Sequence, residues 1–191
     1  MLHFVVFCDM IKEMILTRDF FMGDPLVVAQ QLVGCVLCRA MDDGTIIRAR
    51  IAELELYTAD ERGCHAYGNK CTPRNQAMFL SGGHAYVYLC YGLHQMFNIV
   101  LGSDGTAAAV LVRALEWDGC DGPGKLTRQL NITRDLNMLD LTQGTHLWLE
   151  PRPCIPKIET GTRIGIDYAG ADAQLPWRFV IKDNPYLSRP V

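Results

Sequence analysis

Apolar and polar positions alternate along residues 46–57, which predicts a β-strand. The period of two sets Ile47, Ala49, Ile51, Glu53, Glu55 and Tyr57 on one face, apolar at its start and acidic at its end. M-D-D-G at 41–44 is a hairpin signal joining this strand to another over 35–40. Before them, Asp24 as N-cap, Pro25 at the first helical position and Gly34 past the last apolar turn frame a helix over 25–33. Its Leu26, Ala29, Leu32 and Val33 suggest one face on a core.

Residues 58–71 are polar and aperiodic, the pattern of a long loop, and long loops in compact domains are often functional. Thr72-Pro73 opens a short helix and Gly82-Gly83 ends it. Residues 85–91 and 96–101 read as two strands about a turn over Gly92–Gln95, and 102–106 is a second turn. The strand over 107–115 is apolar apart from Arg113. G-P-G-K-L at 122–126 lacks the spacing of a phosphate-binding loop and instead begins a short helix through Leu130. Further strands are expected at 146–150, 162–168 and 177–182, with Pro151, Pro153 and Pro156 breaking the chain between the first two. No internal repeat, low-complexity segment or domain-sized linker interrupts the pattern.

Several side chains in this order need an explanation. Glu53, Glu55 and Tyr57 emerge together where a strand leaves the core. They read either as a solvated strand end, since carboxylates are mostly exposed, or as a general base. A partly desolvated carboxylate has a raised pKa and can take a proton from water. Arg113, in an apolar strand, needs a partner, and Glu55 is a candidate. Tyr86 suits a core, but Tyr91 and Leu93 fall near a hairpin tip. There a large side chain is better explained as a stacking platform or a wedge between bases. His65, taken alone, reads as a surface residue.

In order, the chain carries E-L-E-L-Y (53–57), His65, T-P-R-N-Q-A-M-F (72–79), Y-V-Y-L-C-Y-G (86–92) and Asn98. V-L-V-R-A-L-E (110–116), G-P-G-K-L (122–126), R-I-G-I-D-Y-A-G (163–170) and P-W-R-F (176–179) follow. This series closely resembles the alkyladenine (3-methyladenine) DNA glycosylase family over roughly Thr17 to Ser188. Leu54 and Leu56 stand where that family usually has smaller residues, and the turn before Arg113 is about two residues longer.

The resemblance implies an α+β fold: a single domain over 17–191, preceded by an extension over 1–16. It would be mainly a curved antiparallel β-sheet with flanking short helices and a protruding β-hairpin that inserts into DNA. It implies catalysis by Glu55, with Arg113 and the main-chain carbonyl of Ile164 positioning a water. Tyr57, His65 and Tyr88 would wall a base pocket, Asn98 would stand against the 2-amino group of guanine, and Tyr91 with Leu93 would fill the gap in the duplex. No lysine or terminal amine is placed for Schiff-base chemistry, so the implied enzyme is monofunctional. It would use no cofactor or metal and would act on damaged double-stranded DNA. Two other readings remain: a catalytically silent binder of distorted DNA, and a metal-dependent hydrolase using Glu53, Glu55 and His65. The second lacks H-E-x-x-H or comparable ligand spacing.

Composition changes this picture only in part. The 191 residues, 49% hydrophobic, fit one domain with a real core. No apolar run approaches bilayer-spanning length, so no membrane partner is expected. Residues 2–8 lack the basic flank and cleavage site of a signal peptide. The 8 scattered cysteines are expected to be free thiols in a reducing compartment, the bacterial cytoplasm or a eukaryotic nucleus. Cys35 and Cys38, three apart on a strand, face opposite sides, a poor geometry for one metal. The formal charge of −3 argues against holding DNA by bulk electrostatics. A local basic face can coexist with it, drawn from Arg62, Lys70, Arg74, Lys125, Arg128, Arg134 and Arg163. A monomer is expected.

Overall fold

The computed structural model describes residues 14–191. In chain order it contains α1 (Arg18–Phe21), α2 (Pro25–Leu32), β1 (Val36–Ala40), β2 (Ile46–Thr58), β3 (Ala85–Cys90), β4 (His94–Val100), β5 (Ala108–Leu115), α3 (Pro123–Gln129), β6 (Leu147–Glu150), β7 (Ile158–Gly161) and β8 (Arg178–Ile181). Short 3-10 turns lie at Tyr67–Asn69, Gln76–Phe79, Arg134–Leu136 and Asp167–Gln174. The described strands form one sheet in the order β3-β4-β5-β2-β1-β6, with β8 also on β2 and β7 on β8. Every pairing is antiparallel. The chain is therefore a single α+β domain with a curled antiparallel sheet and a few short helices.

β2 organises the sheet because its partners change along its length. Residues 46–50 pair with β1, residues 53–55 with β8, and β5 runs along the opposite edge from Ile51. At this exchange the register to β5 slips: Ile51 faces Leu115, Glu53 faces Ala114 and Leu54 faces Val112. Such an irregularity re-aims the side chains that follow it. It corrects the expectation of one unbroken face from Ile47 to Tyr57. Ala49 and Ile51 share the main core with Leu54 and Leu56, whereas Glu53, Glu55 and Tyr57 point to the other side.

The main core fills one face of the sheet. Val28, Ala29 and Leu32 of α2 and Leu126 of α3 pack with Val87, Phe97, Ile99, Val110 and Val112. Asp24 caps α2 as expected, its carboxylate accepting from the Leu26 and Val27 amides. The opposite face carries a smaller cluster of Ala77, Met78, Tyr86, Val100, Ala107 and Ala109, with Tyr57 and Tyr88 against it. This is the face that carries the site.

Other expectations are corrected. Thr72 does not cap a helix; residues 73–75 form a turn and the 3-10 turn begins at Gln76. Residues 162–168 are not a strand, because Gly165 sits at φ 78° and turns the chain out of extended geometry. The neighbouring strand is β7, which ends at Gly161. The β3–β4 turn comprises Tyr91–Leu93, beginning one residue and ending two residues earlier than the pattern suggested. Ile15 and Leu16 are buried and the Leu16 amide bonds to the Leu149 carbonyl at 2.8 Å, so the chain packs on the domain before Thr17. The rest of the expected N-terminal extension, residues 1–13, lies outside the described residues. Among the described residues no helix is long and apolar enough to cross a membrane.

Candidate active site

A cleft of about 600 Å³ opens on the smaller-cluster face. Tyr57, His65, Tyr86, Tyr88, Asn98, Arg113 and Ile164 line it, together with Tyr91, Tyr168 and Arg74 toward the mouth. Strands β2, β3, β4 and β5 supply its floor. The loops over 58–71 and 162–166 supply its walls.

Beneath that floor lies Glu55, fully buried. Its Oε1 accepts the Ile164 amide N–H at 2.7 Å, and its Oε2 accepts the Tyr57 hydroxyl at 2.9 Å and Arg113 Nη1 at 3.2 Å. All three donors line the cleft. Burial pushes the Glu55 carboxyl above the ordinary carboxylate range, against the opposing pull of Arg113, the Ile164 amide and Tyr57; the Glu53 charge adds to the rise. The pairing of Arg113 with Glu55 is the one expected for an arginine on an apolar strand. The expected role of Ile164 concerned its carbonyl, whereas the contact here is made by its N–H. The turn at Gly165 frees this amide from any strand ladder.

The aromatic wall is built from alternate positions of β2 and β3. His65 Nδ1 lies 2.9 Å from the Tyr86 hydroxyl, and its ring meets Tyr88 edge-on with centroids 4.6 Å apart. Arg74 lies over the Tyr88 ring at 5.6 Å. Partial burial and the Arg74 charge hold the His65 imidazole below its ordinary value, favouring the neutral ring. Tyr57 is backed by the Arg163 guanidinium, 4.8 Å from its ring centroid, which also lies over Trp177 at 5.3 Å. Burial first, then the Glu55 charge, raises the Tyr57 phenol well above its usual value, so it remains a donor. Asn98 is buried, and its amide N–H₂ donates to the carbonyls of Tyr86 at 3.0 Å and Met96 at 3.3 Å. It therefore turns its oxygen, an acceptor, away from the strand.

At the rim, the β3–β4 hairpin projects into solvent. Tyr91 is 92% and Leu93 79% exposed. Tyr91 and Gly92 both have positive φ, 49° and 71°, and the Leu93 amide closes on the Cys90 carbonyl at 3.0 Å. This is a tight mirror-image turn of the kind that matches strand twist. Glycine takes the second position freely, but tyrosine does not take the first without cost.

Sequence reasoning missed several contributors. Asn75 of T-P-R-N, almost fully buried, accepts from the Thr72 amide and hydroxyl and donates to the carbonyls of His65 and Lys70. The signal was an asparagine three residues beyond a threonine, a local side-chain-to-backbone turn. Tyr168, 70% exposed at the cleft mouth, fell at the end of a stretch that read only as a strand. Arg163 was expected on a basic face but is buried in a two-pronged pair with Glu61, at 2.7 and 2.9 Å. Lys125 is exposed and bonded to Asp121 at 2.8 Å, while Arg62, Lys70, Arg74, Arg128 and Arg134 are exposed.

The metal reading fits these donors poorly. The Glu53 and Glu55 oxygens face arginines and N–H or O–H donors, and no group of three or more metal-ligating side chains lies together among the described residues. Cys35 packs in the main core and Cys38 in the cluster with Ile15 and Trp148, on opposite faces of the sheet.

Residues 19–185 match the methylpurine-DNA glycosylase family. A Carboxydothermus hydrogenoformans protein is 42% identical over 92% of this chain and 100% of its own length. One from Methanocella arvoryzae is 40% identical over 92% and 96%, and one from Borreliella burgdorferi is 40% identical over 90% and 98%. All three are provisionally named 3-methyladenine DNA glycosylases. With the match spanning nearly the whole fold and every strand that builds the cleft, the chain belongs to the methylpurine-DNA glycosylase family.

Proposed function

We propose that this DNA glycosylase extrudes an alkylated or deaminated purine from duplex DNA and hydrolyses its N-glycosidic bond with a water activated by Glu55. The observation that carries this reading is the buried Glu55 carboxylate beneath an aromatic cleft, beside a hairpin whose Tyr91 is almost wholly exposed.

Chemistry on a base requires taking it out of the stack, which costs a few kcal/mol and less for a damaged pair. Tyr91, with Leu93, enters the minor groove and fills the gap. Tyr57, His65 and Tyr88 receive the purine, stacking on a ring that alkylation makes electron-poor. Asn98 stands against the 2-amino group of an undamaged guanine. Because its oxygen is an acceptor in this orientation, that exclusion works by occupied space rather than by donor meeting donor. Bond cleavage builds positive charge on the sugar, and the Glu55 carboxylate stabilises it while accepting a proton from water. Arg113 and the Ile164 amide hold that carboxylate, and the Ile164 carbonyl is the second group on the water. No amine serves as nucleophile, so the product is an intact abasic site. The substrate range is that of 3-methyladenine, 7-methylguanine, hypoxanthine and ethenoadenine, and the protein acts as a monomer.

The test is base release from duplex oligonucleotides carrying each lesion, by wild type and Glu55→Gln, with and without a chelator. Chelator-resistant release that the substitution abolishes supports the reading. Tight lesion binding without release would make the chain a silent binder, and chelator-sensitive release would make it a metal hydrolase.

A further inference from the structure

The reaction as proposed uses one carboxylate of E-L-E-L-Y and leaves the other, Glu53, unassigned, although it is fully buried. Its Oε1 accepts Arg113 Nε at 3.0 Å, Arg178 Nε at 2.8 Å and the Ser188 hydroxyl at 2.8 Å, and its Oε2 accepts the Ser188 amide at 2.7 Å. Arg178 continues to the carbonyls of Arg189 and Pro190, the latter at 3.2 Å. Ser188 Oγ in turn accepts from Arg113 Nε at 3.3 Å. Residues 188–190 thus form a strap across the rear of Arg113, beyond the 19–185 span of the family match. The other edge of the same guanidinium, Nη1, meets Glu55.

We infer that Glu53 and the Ser188–Pro190 strap are a positioning device for base release, fixing Arg113 so that Nη1 engages Glu55 at one defined angle. This rests on the reading of Glu55 as the base. A guanidinium is planar and offers its donors in a fixed fork, so anchoring Nε determines where Nη1 points. Without the anchor, a long side chain 8% exposed at the cleft gains rotamers, and small misplacements in such sites are costly in rate.

The charge order supports the same role. Glu55, Arg113, Glu53 and Arg178 alternate in sign, so Arg113 is shared between two carboxylates. Glu55 is faced by Arg113 from β5, by Tyr57 and Glu53 of its own strand and by the Ile164 amide. Arg178 is its cross-strand neighbour on β8, and Arg163 lies behind Tyr57. Neutralising Glu53 leaves Arg113 wholly to Glu55, which favours the ionised form and weakens the base. A purely architectural ion pair would change stability without changing the maximal rate per folded molecule.

The experiment uses the full chain and four variants: Glu53→Gln, Ser188→Ala, Ser188→Thr and Glu55→Gln. The Glu55 carboxyl is titrated by ¹³C NMR in the free protein, with its signal identified by its loss in Glu55→Gln. Single-turnover release from hypoxanthine-containing duplex is followed against pH, and folded fraction is read by circular dichroism. In Glu53→Gln the Glu55 midpoint is expected to fall by about one unit and the maximal rate by roughly tenfold to a hundredfold, with lesion binding retained. Ser188→Ala is expected to lose part of the rate, and Ser188→Thr, which keeps the hydroxyl, to recover most of it. A maximal rate in Glu53→Gln lost only in proportion to folded protein would overturn the inference, whatever the midpoint does. If Glu53→Gln does not fold, equal rates in wild type, Ser188→Ala and Ser188→Thr would do the same. A wild type that releases no base overturns the proposed function instead, and the titration still decides whether Glu53 governs Glu55.

Discussion

The Tyr57 hydroxyl turns back along its own strand to donate to Glu55 Oε2 at 2.9 Å, while its ring lines the cleft. One residue therefore lines the cleft with its ring and holds the carboxylate with its oxygen. Tyr57→Phe separates the two roles. Losing a hydrogen bond to a charged group is worth about 1.5–3 kcal/mol, and it removes one of the influences that lower the Glu55 pKa. The expected result is lesion binding close to wild type and an acid limb of the rate profile displaced to higher pH. Single-turnover rates from pH 5 to 8 with a binding titration check this, and an unmoved limb would refute it.

Burial dominates the rise of the Glu55 pKa above its ordinary 4.5, which links rate and stability to pH in opposite senses. On the proposed mechanism the base works only when ionised, so release is expected to rise with pH through that raised value. A carboxyl raised in the folded state holds its proton more tightly than in the unfolded chain. Its contribution to stability is therefore favourable below the unfolded value and is lost as pH rises through the folded one. Glu55→Gln is accordingly expected to lower release by about 10²–10⁴-fold, yet to raise the unfolding temperature at pH 7 relative to wild type. That gain should shrink toward pH 4. Thermal melts of both proteins at the two pH values measure it.

Tyr91 occupies a left-handed position that costs a non-glycine residue roughly 1–2 kcal/mol, and its side chain, 92% exposed, has little burial to offset that. Tyr91→Gly should leave the hairpin as stable as wild type or more so, since relief of strain offsets the entropy of glycine. Affinity for lesion duplex should nonetheless fall by about 1–3 kcal/mol, the scale of one base–aromatic stack. Tyr91→Ala should lose the same affinity without the relief. A Tyr91→Gly protein that melts well below wild type, or that binds lesion DNA equally well, would contradict the assignment.

Asn75 satisfies four backbone and side-chain groups of the loop that carries His65. Asn75→Ala leaves four partly buried groups unpaired and is expected to cost about 1–3 kcal/mol of stability. Hydrogen exchange should rise across residues 62–75, and discrimination between lesions should weaken before the maximal rate does. Exchange that stays unchanged in this loop would show that His65 is held by other contacts.

Much of this protein was legible in one dimension. The capped helix at Pro25–Leu32, the hairpin that presents Tyr91 and the partnership of Arg113 with Glu55 follow from local rules, because caps, turns and a charge on an apolar strand each force a short list of solutions. The aromatic wall was legible from the ordered motifs of the family. Tertiary structure decided what periodicity could not. The slip between Ile51 and Leu54 arises where β2 exchanges β1 for β8, and no pattern within residues 46–57 records which strands will lie beside them. Arg163, apparently one more surface cation, is drawn inside by Glu61 and two aromatic rings distant in sequence. Residues 162–168 read as a strand, but a buried carboxylate claimed the Ile164 amide, and a satisfied charge outweighs a weak local preference. Glu53 became the anchor of the C-terminal strap for the same reason: a buried carboxylate must collect donors wherever the fold brings them.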